Sequence, residues 1–295
     1  VIAFPSTATV ALYAGVDHGF YEKAGLDVRL SPTPSSQQLV QGLVSGQYQF
    51  GAALIDNFVA YRANQHAVAR DPKHDLRVVM GLASASVALV SRADIESIHD
   101  LRDRRVGIDA PGTGFAFVLY HMLSQQGLNR ADVRLTESGS TKARWAALER
   151  GEIDATMLTP EFALQAQAKG FRILQDSAQA LPPYMGLALA ADEAWAARNP
   201  ALVRDFLRAT LEAHEWLSRP ENRPLAAESL SRELGGTPQE MLQLLEQLLA
   251  SDALIADGRV SETGLTTVLT LRRQFGNPAT MPMDAAQYVD LSYLP

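Results

Sequence analysis

Six short polar clusters carry the side chains with the clearest chemical potential. They are Phe4-Pro5-Ser6-Thr7, Thr33-Pro34-Ser35-Ser36, Ile55-Asp56-Asn57-Phe58, Pro111-Gly112-Thr113-Gly114-Phe115, Ser138-Gly139-Ser140-Thr141 and Thr159-Pro160-Glu161-Phe162. Each stands where a β-like run gives way to a helical pattern. In an open α/β sheet, ligands collect at such places, because the carboxyl ends of strands lead into helix N-termini with unpaired backbone N–H groups. The hydroxyls of Ser6, Thr7, Ser35, Ser36, Thr113, Ser140 and Thr141 can hydrogen-bond a small polar ligand there. They can equally cap their helices, and Ser35-x-x-Gln38 fits a capping box. Asp56 and Glu161, with Asn57 beside the first, could clamp an amine or a protonated heterocycle between them. The structural alternative is an N-cap for Asp56 and a macrodipole complement for Glu161, which follows Pro160 at a helix start. Phe58, Phe115 and Phe162, with Phe4 and Tyr184, could stack on a flat ligand or simply fill the core. Lys142 and Arg144 open a helix, where they could hold an anion such as a sulfonate or carboxylate, or lie on a solvated face.

Catalytic constellations are missing from the sequence. The six histidines (His18, His66, His74, His99, His121, His214) show no metal-binding spacing. Gly112-Thr113-Gly114-Phe115-Ala116-Phe117 places Phe where a dinucleotide fingerprint needs its third Gly, and no phosphate-loop Lys follows. No nucleophile elbow occurs. With zero cysteines, disulfide scaffolds, Cys-ligated metal and thiol catalysis are excluded. The reading therefore assigns no cofactor and no metal.

The elements that must position the six clusters alternate along the first two thirds of the chain. Segments 1–4, 27–30, 50–54, 77–82, 105–109, 133–136, 155–158 and 171–174 read as strands, with helical patterns over 7–24, 37–45, 114–126 and 142–150 between them. Such alternation predicts an α/β fold with mainly parallel sheets. From about Asp192 the chain reads as mostly helical, over 201–217, 225–234 and 238–249. A weak internal repeat relates the halves. Leu43–Tyr48 is echoed by Leu148–Ile153 at an offset of 105, which also takes Val28 to Val133, Ser35-Ser36 to Ser140-Thr141 and Asp56 to Glu161. Offsets of 106 and 107 relate Pro5 to Pro111, Thr7 to Thr113 and Leu12-Tyr13 to Leu119-Tyr120. The drifting offset predicts two lobes of similar topology whose six junctions line one cleft.

The 295 residues suit two lobes, and 47% hydrophobic with 20% charged residues argues against disorder. A formal charge of −7 gives no basic footprint for nucleic acid. That acidity sits almost wholly in residues 188–295, in helices with solvated polar faces. No uninterrupted apolar run reaches the length of a membrane span.

Four segments resemble the NMT1/THI5-like solute-binding proteins of nitrate, sulfonate, taurine and thiamine-precursor ABC importers. Gly19–Val28 (GFYEKAGLDV) is similar to that family's GfFekeGLdV segment, and Leu43–Gly51 to its aLasGeiDig step. Asp100–Gly107 resembles DLkGKkVgi, which opens the second lobe, and Ala147–Ala155 resembles the matching step there. The resemblance covers roughly residues 1–215. It implies the two-lobed type II periplasmic-binding-protein fold, each lobe a mainly parallel sheet flanked by helices, with the C-terminal helices added to lobe one. Lobe one would be 1–84 plus 188–295 and lobe two 85–187, with the hinge near 82–86 and 184–189. The implied function is capture of a small organic solute (sulfonate, aromatic carboxylate or thiamine-precursor-like pyrimidine) and delivery, as a periplasmic monomer, to an inner-membrane ABC permease. The chain opens on strand-like Val1–Phe4 with no basic n-region or apolar h-region, which fits a mature or a trimmed chain. The alternative is an enzyme on the same fold, such as a chorismate-dehydratase-like lyase of menaquinone synthesis. Thi5-type pyrimidine synthases share the fold but carry a cysteine cluster, which this sequence lacks. An effector-binding regulatory module is disfavoured, because no helix-turn-helix segment or basic patch is found.

Overall fold

In the computed structural model, which describes residues 1–251, 253–277 and 284–295, the alternating runs close into two five-stranded sheets wrapped by helices. The strands are β1 (Ile2–Ala3), β2 (Ser31–Pro32), β3 (Gly51–Leu54), β4 (Leu76–Ser84), β5 (Ala88–Ser91), β6 (Arg105–Ile108), β7 (Arg134–Glu137), β8 (Ala155–Leu158), β9 (Arg172–Asp176) and β10 (Met185–Asp192). The first sheet has the order β2-β1-β3-β10-β4 and the second β7-β6-β8-β5-β9. β10 runs antiparallel to both of its neighbours, and β5 does the same in the other sheet, while the β1 and β6 pairings are parallel. Each sheet is thus mainly parallel with one reversed strand. The two orders superimpose element for element, which is what the drifting repeat predicts.

The reversed strands are the ones that enter each sheet after the chain has crossed from the other. β4 leads across to β5, and the helix Ser177–Ala180 leads back to β10. The crossings run side by side: the Ala85 N–H donates to the Tyr184 carbonyl at 3.1 Å. They also touch, since a Cβ on Gly186 would lie 2.4 Å from the Ala85 nitrogen. β10 begins at Met185, so residues 185–187, expected in a hinge and lobe two, form part of the first sheet.

Two further differences have local causes. The helical pattern over 7–24 breaks into a 3-10 turn (Thr7–Thr9) and helices Val10–Asp17 and Phe20–Lys23, because Gly19 adopts a left-handed φ of 72°. The strand expected at 27–30 pairs with β1 only at Ser31–Pro32, while Val28 and Leu30 pack against the core.

Around the first sheet, Phe206 of the helix Pro200–Ser218 stacks on Phe50 (4.1 Å between centroids) and Tyr21 (5.1 Å). The C-terminal helix Glu262–Phe275, which the sequence reading left unassigned, packs on β10 and on the helix Ile55–Arg62. It also reaches the second unit, where Phe275 meets Phe117 and Tyr120 of the helix Gly114–Gln125. The C-terminal helix is thus added to the first unit and bridges to the second. Among the described residues no helix is long and apolar enough to cross a membrane.

Candidate functional site

The carboxyl ends of β1, β3, β6 and β8 face a common cleft. An inner pocket of about 70 Å³ lies between them, bounded by Phe4, Ser6 and Asn57 from the first unit and by Asp109, Thr113, Phe115, Ser140, Thr141, Lys142, Arg144 and Thr159 from the second. It opens past Ser6, Phe115, Thr159 and Leu187 into an outer chamber of about 560 Å³, whose walls include Thr7, Tyr184 and residues of the helix Pro238–Ala250. Of the residues singled out by sequence, Ser6, Asn57, Thr113, Phe115, Ser140 and Thr141 are thus brought together at the inner pocket. Thr7 and Tyr184 stand at the outer one.

The others are placed elsewhere, for identifiable reasons. Ser35 caps the helix Ser36–Val44, accepting from the Gln38 N–H at 3.2 Å. Ser36 donates to Asp109 Oδ2 across the cleft at 2.8 Å. Phe58 is 1% exposed within the core, and Phe162 is likewise buried in the second unit. Asp56 is not available to a ligand amine. Both of its oxygens accept from Arg272, Nε to Oδ1 at 2.7 Å and Nη2 to Oδ2, and both residues are sealed from solvent. The same guanidinium donates to the Gly112 carbonyl of the second unit at 2.8 Å and lies 4.7 Å over the Phe117 ring.

Glu161 is fully buried at the start of the helix Pro160–Ala168. Its Oε2 accepts from Thr7 Oγ1 across the cleft at 3.3 Å, while Oε1 has no hydrogen-bond partner among the described residues. Burial pushes its carboxyl pKa up, against the pull of its own helix backbone and the neighbouring hydroxyls. Tyr184 is also driven up, first by burial and then by the Asp56 charge.

Arg144 overturns the solvated-face alternative. Only 2% of it is exposed. Its guanidinium donates to neutral oxygens: the Gly139 carbonyl at 2.5 Å, Thr141 Oγ1 at 3.0 Å and the Met157 carbonyl at 3.2 Å. Burial draws its pKa down to about 10, partly offset by Asp109, so it remains charged at neutral pH. Ser140 caps the nine-residue helix that carries it. A buried cation and the positive end of a helix therefore converge on one wall of the inner pocket. Lys142 adds a second, exposed cation at the rim.

Asp109, Thr159 and Leu187 join the lining without having been singled out, although Asp109 closes a predicted strand and Thr159 sits in a noted junction. Among the described residues no cluster of three or more His, Asp or Glu side chains forms a metal site.

A family model described as NMT1/THI5 like matches residues 6–222. No curated protein matches the chain by sequence. In structure it is similar to the periplasmic nitrate-binding protein NrtA from Synechocystis PCC 6803, with a TM-score of 0.81 and 14% identity over 97% of this chain and 83% of that one. The alkanesulfonate-binding protein SsuA from Xanthomonas axonopodis pv. citri, bound to MOPS, gives 0.73 and 17% over 95% and 93%. A DSZB mutant in complex with biphenyl-2-sulfinic acid gives 0.65 and 16% over 99% and 96%. The fold is that of the periplasmic binding proteins.

Proposed function

This chain belongs to the NMT1/THI5-like family, and from that premise we propose that it is a solute-binding protein that captures a small organic anion between its lobes and delivers it to an ABC importer. It works as a monomer outside the cytoplasm, presenting its closed form to a membrane permease, and it leaves the solute chemically unchanged. The observation that carries the choice of an anion is Arg144. Its guanidinium is bonded to carbonyl and hydroxyl oxygens, and it borders the inner pocket beside a helix N-terminus. Charge held this way is ready for a sulfonate or carboxylate, whose oxygens can take several charge-assisted hydrogen bonds at once. The withdrawal of Asp56 into its pair with Arg272 weakens the case for a cationic or amine-bearing solute. We place the hinge at the crossings between β4 and β5 and just before β10, which moves the second lobe boundary to about residue 184.

A thermal-shift comparison of methanesulfonate, butanesulfonate, benzoate, nitrate and an aminopyrimidine tests this reading. Organic anions should raise the melting temperature by mass action, with about 2.7 kcal/mol of stabilisation at a hundredfold excess over Kd. Arg144→Met should remove the shift, and Arg144→Lys should retain part of it. A shift produced by the pyrimidine alone would overturn the anion assignment. Conversion of the added solute, followed by mass spectrometry, would replace the binding reading with an enzymatic one.

A further inference from the structure

We infer that solute capture is coupled to proton uptake: closing the lobes leaves Glu161 a neutral carboxylic acid, and its ionisation favours the open form. The inference rests on the reading of a cleft that closes over a solute, and not on the solute's charge. Glu161 lines neither chamber, so the coupling runs through closure rather than through contact with the ligand. Part of its cover comes from the opposite lobe. Thr7 reaches its Oε2 across the cleft at 3.3 Å, Ser6 adds a second hydroxyl from the same side, and Leu164 of the same helix packs on the core of the first unit. With the lobes apart that cover is withdrawn, and the carboxylate regains water at a helix start, where the backbone favours its charge. With the lobes closed it is sealed from solvent, and Oε1 lacks a hydrogen-bond partner among the described residues. Thr159 Oγ1, buried next to it, is likewise unpartnered among them. One proton on Glu161 serves both, since the acid can donate to that hydroxyl, whereas a bare carboxylate would be left desolvated.

Among the described residues no neighbouring cation offsets that charge. The helix Pro160–Ala168 carries no other ionisable side chain, the Thr7–Thr9 turn offers only hydroxyls, and β5 and β8 have no charge. On the helix Val10–Asp17, Tyr13 is neutral, its pKa pushed up to about 12 by burial above all, and Asp17 is paired with Arg232. On the helix Thr141–Glu149, Arg144 is bonded to Gly139, Thr141 and Met157, Glu149 pairs with Lys169, and Lys142 is exposed. β9 contributes Arg172, paired with Glu96, and Asp176, which caps the next helix. The helix Pro238–Ala250 adds only acids, Glu240 in its capping box and Glu246 in solvent. Burial therefore dominates, and it raises the Glu161 carboxyl above its ordinary value.

Titration calorimetry with butanesulfonate, a strong-acid anion that holds no proton itself, reads the coupling. Repeated at one mildly acidic pH in buffers of different ionisation heat, the observed enthalpy should vary with the buffer in the sense of proton uptake. The closed form holds the proton more tightly than the open one. Affinity should therefore be highest and level in acid and fall, by up to about tenfold per pH unit, as pH rises from 4.5 through the raised value. Glu161→Gln should abolish the uptake and keep the parent's acid affinity at every pH. A second measurement needs no solute. The chain has no cysteine, so Gln41→Cys and Arg150→Cys, exposed on equivalent helices of the two lobes, can carry a donor and an acceptor dye. Energy transfer should rise as pH falls, and with Glu161→Gln it should stay at the acid level throughout. A buffer-independent enthalpy, a transfer that ignores pH, or a pH dependence that survives Glu161→Gln overturns the coupling. If butanesulfonate fails to bind, the anion reading falls, and the dye measurement alone decides for or against the proton.

Discussion

Asp56 and Glu161 occupy the first turns of equivalent helices in the two lobes, yet each meets the cost of burying a carboxylate differently. Asp56 recruits Arg272 in a two-pronged pair that also ties into the Gly112 carbonyl. Removing one partner strands the other charge, so Asp56→Ala should lose about 3–5 kcal/mol in urea unfolding. Asp56→Ala with Arg272→Leu should recover much of that loss, because the two changes share one interaction. Additive losses would mean that the pair is not the source of the stability. Among the described residues Glu161 has no ion-pair partner, and burial holds its carboxyl above the ordinary value of 4.5. The folded state then binds the proton more tightly than the unfolded chain. Stability should be independent of this group in acid below the unfolded value, and should fall as pH rises from there through the raised folded value. Glu161→Gln keeps the shape without the charge. It should match the parent protein at low pH, near about 4, and exceed it at about pH 8. Urea midpoints at the two pH values decide the matter, since a constant difference would show that Glu161 titrates alike in the folded and unfolded chain.

At the scale of elements, what the sequence makes legible depends on whether a segment carries a period. β1, β3, β4 and β6 to β9 coincide with expected strands to within a residue or two, and the helices at 36–44, 114–125 and 141–149 start beside the hydroxyls that announce them. β5 and β10 escaped because every residue in both is buried, which leaves an apolar run with no alternation to distinguish strand from helix. The helix Glu262–Phe275 escaped for a different reason. Thr263, Thr266, Thr267, Val268 and Thr270 give it poor intrinsic propensity, and packing through Leu265, Leu269 and Leu271 overrides that preference. This omission had a chemical consequence: Arg272 rides on that helix, 216 residues from Asp56, and no local pattern could reveal that the carboxylate was already paired. Strand ends and helix starts located the cleft, while the charge balance inside it depended on tertiary partners.

For the whole molecule, the contacts between lobes are both apolar, where Phe275 packs on Phe117 and Tyr120, and polar, where hydrogen bonds cross the cleft. Thr7 donates to Glu161, Ser36 donates to Asp109, the Ser140 N–H donates to the Pro34 carbonyl at 3.1 Å, and Arg272 donates to Gly112. Contacts of this kind can be broken and remade against water at little net cost, which suits lobes that open and close about a hinge. Gly114 sets how closely they approach. It opens a second-lobe helix directly against Asp56, and a Cβ there would stand 2.6 Å from the Tyr184 hydroxyl and 2.8 Å from the Asp56 Cβ. Asp56 cannot step aside, because Arg272 holds it. Gly114→Ala places a better helix former at that position, so each lobe should fold as before while the closed arrangement is overpacked by about 1–3 kcal/mol. Solute affinity should therefore fall by a factor between about five and a hundred, and small-angle scattering at saturating solute should give a larger radius of gyration than the parent protein. Parent-like affinity and scattering would mean that Tyr184 yields to the new methyl group, and that closure does not depend on the missing side chain at residue 114.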